Sequence, residues 1–151
     1  MKNLKSNSGF TLFEIIIAIA LIGLLTGVVV FTINPAQRLA ETRNDERSLN
    51  TMVILDAIGQ NIANNSGTFN CASGALPTTT PQIIGSSTLN LYDCLIPEFM
   101  SAMPVDPQTG TAGNSSTTYN TRYAIIRNAT TSQLTISAPD AELGETISVT
   151  R

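Results

Sequence analysis

Three side chains have the type and placement to do chemistry: Glu14, Cys71 and Cys94. Glu14 is the only ionisable side chain from Phe10 to Ile33, a stretch otherwise apolar enough for a membrane. A carboxylate held against hydrocarbon costs a few kcal/mol, so it must be protonated, reach water or meet a cation. If the chain were cut after Gly9, the new amine of Phe10 would supply that cation four residues upstream, to its own Glu14 or to that of a neighbouring copy. Pairing with a neighbour would set the axial register between copies. Cys71 and Cys94 both follow the apolar stretch. In an oxidising compartment an even pair reads as a disulfide, here closing a loop of about two dozen residues and contributing about 3 kcal/mol. Two buried thiols are the alternative.

The composition removes most other chemistry. The 151 residues include no histidine and no tryptophan, and the lysines are Lys2 and Lys5. The commonest general base, the commonest metal ligand and, beyond Lys5, the Schiff-base nucleophile are therefore missing. No nucleophile and base can be paired from the spacing, and the chain does not read as an enzyme. Setting the two lysines aside leaves six arginines against 11 acids, so the basic footprint of a nucleic-acid-binding protein is absent.

The elements that must position these residues follow from patterning. Residues 1–9, MKNLKSNSG, form a polar, basic leader in which the small residue precedes the apolar core. Cleavage there would leave the hydrophobic segment on the mature chain, unlike a conventional secretory signal. Lys2 and Lys5 place the amino end in the cytoplasm and everything after about residue 33 outside, by the positive-inside rule. A helix over residues 10–33 would span about 36 Å, enough to cross a hydrocarbon core of about 30 Å. Gly23 and Gly27, four apart, permit close helix approach. Pro35 ends or kinks the helix, and the resumed periodicity beyond it reads as a kink. Residues 36–48 carry three charges of each sign and read as a solvated helix surface, with Arg38–Glu41 and Arg43–Glu46 at i,i+3. Met52, Leu55, Ile58 and Ile62, flanked by Leu49 and Val53, form a stripe for a head to pack on.

Residues 64–121 are rich in Ser, Thr, Asn, Gly and Pro and read as loop-dominated. The end of the chain reads as a three-stranded antiparallel meander over residues 122–127, 133–138 and 145–150. The expectation is an α+β fold. A long N-terminal helix, kinked near Pro35, packs its second half on a small antiparallel head. The divisions are a leader (1–9), a transmembrane and assembly helix (10–35), and the second helical half with an extracytoplasmic head (36–151).

Gly9-Phe10-Thr11-Leu12-Phe13-Glu14, with a basic leader before it and an aliphatic run after it, resembles the class III signal of type IV pilins and type II secretion pseudopilins. The resemblance implies a pilin-like fold, cleavage between Gly9 and Phe10 by a prepilin peptidase, N-methylation of Phe10, and a role for Glu14 in docking each subunit into a growing filament. It implies an inner-membrane assembly platform and identical or related subunits as partners, with membrane lipid as the solvent before assembly. The precursor would be a single-pass protein of the cytoplasmic membrane, and the product a filament outside it. Pro104-Val105-Asp106-Pro107-Gln108-Thr109-Gly110, with Tyr119 and Tyr123 beyond, is similar to a turn of major pseudopilins, in which a nearby loop binds calcium. Asp106 is the calcium candidate on that likeness. A plain Asp-Pro turn without any cofactor is the other account, since calcium takes six to eight oxygens and one carboxylate is a thin start. A pilus subunit is the leading function, with a secretion pseudopilin as the alternative and a non-polymerising, membrane-anchored binding module as a third reading.

Overall fold

The computed structural model describes residues 9–151, the side chains of 31–33 excepted. In chain order it forms α1 (Leu12–Ile33), α2 (Pro35–Asn64), β1 (Gln82–Gly85), α3 (Tyr92–Leu95), β2 (Asn120–Arg127), β3 (Leu134–Ala138) and β4 (Ile147–Thr150). Two compact units divide between Arg38 and Leu39. The expected leader falls outside the described residues except for Gly9.

In the first unit, α1 runs 22 residues, about 33 Å at the rise of an α-helix. Leu12–Val30 is long and apolar enough to cross a membrane, and none of it is buried within the protein. The interruption expected near Pro35 is a break of one residue. Asn34 adopts the left-handed conformation (φ 41°), which asparagine tolerates better than most residues. Its carbonyl then accepts from the backbone N–H groups of Gln37 and Arg38. Pro35 opens α2 at the position where a missing N–H costs nothing.

In the second unit, β1 to β4 form one antiparallel sheet in sequential order. The three C-terminal strands lie where alternation placed them, each within about two residues. β1 was not expected: Gln82 and Ile83 pair with Ile125 and Ala124, and a bulge separates them from Gly85 opposite Asn120. The stretch between β1 and β2, with the short α3, carries Leu89, Leu91 and Leu95 into the core. That core joins Ile54, Leu55 and Ile58 of α2 to Tyr123, Ile125 and Ile136 of the sheet.

The buried face of α2 differs from the expected stripe. Leu49, Met52 and Val53 are exposed, and the inward line runs Ala40, Asn44, Arg47, Thr51, Ile54, Ile58, Asn61. Its spacing alternates three and four, as a helix buried along one face requires. Four of its seven members are polar, and a hydrophobicity pattern could not see them; the partners of Asn44 and Arg47 are described below.

Candidate functional site

Gly9 and Phe10 are exposed and lie outside any helix or strand. Thr11 caps α1: its Oγ1 accepts from the Glu14 N–H at 3.3 Å, while the Thr11 N–H donates to Glu14 Oε2 at 3.5 Å. This reciprocal pair is a capping box. It satisfies two of the donors that a helix start leaves open and sets the carboxylate at the positive end of the helix dipole. The structure thus gives Glu14 a partner in its own chain before any cleavage. Gly23 and Gly27 have open space where a Cβ would stand.

The polar half of α2 meets the second cluster of charge. Arg47 is fully buried. Its Nε donates to Asp106 Oδ2 at 2.6 Å, its Nη2 to Asp106 Oδ1 at 3.3 Å, and its Nη1 to Glu142 Oε2 at 2.8 Å and Asn44 Oδ1 at 2.9 Å. Arg43 grips Glu142 from the other side with two bonds of 2.6 Å. Asn44 holds the loop backbone through the Glu142 carbonyl and N–H. Beyond Asp106, Thr109 Oγ1 donates to Asp140 Oδ2, which also takes Arg122 Nε at 2.8 Å. The expected Arg43–Glu46 pair is replaced by Arg43–Glu142, and Arg47 is sequestered rather than solvated. Arg122 (φ 65°) and Leu143 (φ 58°) stand in the left-handed region, uncommon for such side chains and tolerated where surrounding contacts over-determine the backbone.

The acids of this network are held charged. Burial pushes Asp106 up, but the Arg47 hydrogen bond and the Thr109 and Gln108 N–H groups outweigh it and hold the carboxyl at about 2. Glu142 is lowered to about 2 by hydrogen bonds from Arg43 and then Arg47. Asp140 is lowered by Arg122 and then Thr109. Arg47 is raised, chiefly by its bond to Asp106.

The Asp106 turn is closed by protein donors. Asp106 Oδ1 accepts from the Gln108 N–H, the Thr109 N–H and Arg47 Nη2, while Oδ2 takes Arg47 Nε. Among the described residues no three His, Cys, Asp or Glu side chains gather as a metal site. Gly110 is required by the same turn, since a Cβ there would lie 2.6 Å from the backbone N and O of Asp106. Cys71 and Cys94 are joined by a disulfide with a Cα separation of 5.2 Å.

An exposed apolar helix thus begins at Thr11 and Glu14, directly after an accessible Gly9–Phe10 bond. Residues 4–30 match the prokaryotic N-terminal methylation motif. This is the prepilin-type signal of type IV pilins and pseudopilins. No curated protein and no solved structure matches the chain. The methylation motif and the apolar helix together support membrane anchoring and a pilin-like or pseudopilin protein.

Sequence reasoning singled out Gly9, Phe10, Glu14, Pro35, the cysteines and Asp106, but missed the burial of Arg47 and its bonds to Asp106, Glu142 and Asn44. Arg43, Asn44 and Arg47 recur at helical spacing, and that line continues into the apolar stripe through Thr51 and Ile54. This continuity was the available signal.

Proposed function

We propose that the chain is the structural subunit of a type IV-like pilus. Prepilin peptidase removes the leader at Gly9–Phe10 and methylates the Phe10 amine, and an inner-membrane platform then extrudes the processed subunit into a helical homopolymer. The precursor sits in the cytoplasmic membrane with its amino end inside, and the head projects outward into an oxidising space where the cysteines bond. The observation that carries this reading is α1: a spanning-length apolar helix, its Leu12–Val30 span unburied among the described residues, starting at the methylation motif. In the membrane, lipid covers that surface; in a filament, the same helices of neighbouring copies do. Head-to-tail contacts that do not close into a ring build such open polymers. Loss of the Thr11 bond frees Glu14 to meet the Phe10 amine of a neighbour.

The second reading, a pseudopilin of a type II secretion system, is favoured by the Pro104–Gly110 turn. The bonds of the Asp106 carboxylate to Arg47 and to the turn's own N–H groups weigh against the calcium-binding version of that turn. A lone membrane-anchored binding module would need Glu14 for nothing beyond capping its own helix. Glu14→Ala tests the difference: the sheared surface fraction should lose its filaments while the leader is still removed. Unchanged filament yield would sink the assembly mechanism.

A further inference from the structure

Two loop segments, residues 104–110 and 139–145, bring Asp106 and Glu142 to α2, and Asp140 joins them through Thr109, whose N–H bonds Asp106 and whose hydroxyl bonds Asp140. Ionised carboxylates gathered in this way repel one another and oppose docking of the loops unless a cation lies among them. One does. Four oxygen contacts from three segments converge on the Arg47 guanidinium: both oxygens of Asp106, Glu142 Oε2 and Asn44 Oδ1. The side chain is wholly buried, and so is the carboxylate of Asp106.

We infer that the Arg47 guanidinium is the resident cation of this head, tying the 104–110 turn and the 139–145 loop to α2 so that no divalent metal is needed there. A guanidinium suits the place because its planar fork can address several acceptors in fixed directions without losing its proton. A calcium ion would need six to eight oxygens around one point, and the Asp106 oxygens already face N–H donors instead. The other two acids are closed off in the same way, Glu142 by Arg43 and Asp140 by Arg122. Each of the three carboxylates therefore has a protein cation. The inference concerns the head alone and stands whether or not the chain polymerises.

The test is thermal unfolding of the head, read by near-ultraviolet circular dichroism on the full chain in lipid nanodiscs, with a chelator or with millimolar calcium chloride. The wild-type midpoint should be the same in both. Arg47→Ala should lower it by about 10 °C or more, because removing one partner strands a buried charge. Should that variant fail to fold, Arg47→Lys decides the matter: it keeps the charge, loses the fork, and should melt below wild type in chelator. A wild-type midpoint that rises with calcium would overturn the inference, as would a lysine variant as stable as wild type.

Discussion

The two units of this chain manage their surfaces in opposite ways. In the first, Phe10 is exposed ahead of α1, α1 exposes Leu12, Phe13 and a row of Ile, Leu and Val, and its one acid is tied to its own helix start. In the second, the apolar side chains of helix and sheet share one core, and four guanidinium groups are matched to carboxylates. Among the described residues, no buried side-chain polar atom lacks a partner. The head is complete as folded; α1 is not. A helix apolar all round takes its stability from whatever surrounds it, lipid or other helices, and this is the physical content of reading it as an assembly element.

Mutations should separate the units. Glu14→Ala has the largest effect and the narrowest: filaments disappear from the sheared fraction, while the head's unfolding midpoint stays at its wild-type value. Asp106→Ala should act in reverse, destabilising the head by about 3–5 kcal/mol because Arg47 is left buried without its main partner. Denaturant unfolding of the full chain in nanodiscs measures this, and a loss under 1 kcal/mol would break the contrast. Replacing Cys71 and Cys94 together with serine should cost about 3 kcal/mol in the same assay, by restoring loop entropy to the unfolded chain.

The smallest effect is that of acid. Asp106 and Glu142 have folded pKa values of about 2, below their ordinary 3.8 and 4.5. Groups depressed in this way stabilise the fold above their unfolded values, and the stabilisation is lost as pH falls through the folded ones. Head stability should be flat above about pH 5 and decline from there toward pH 2. Asp106→Asn should flatten part of that decline.

How much the sequence disclosed also differs between the units. The first was legible almost residue by residue, because its requirements are local. The apolar run must be long, Glu14 must interrupt it, Gly9 must precede it, and Pro35 must disturb the helix. What escaped there was the capping box, although Thr11 and Glu14 stand three apart as such a box requires. In the head, strong alternation revealed β2, β3 and β4. β1 stayed hidden because only Ile83 and Ile84 stand out in a Ser/Thr-rich segment, and its pairing partner lies about 40 residues later. The Arg47 network stayed hidden for a similar reason. An arginine among acids on a helix reads as solvated until a turn 59 residues away supplies Asp106. Asp106 itself was found as a turn residue, and its role follows from a partner that sequence distance concealed.

The central claim is that α1 is a polymerisation element made competent for assembly by cleavage at Gly9. The most direct test is intact mass spectrometry of material sheared from the cell surface and seen as filaments by electron microscopy. The account predicts filaments built of chains that begin at methylated Phe10 and carry one intramolecular disulfide. Filaments lacking this chain, or the chain recovered solely from membranes as an unassembled protein with Phe10 already exposed, would contradict it.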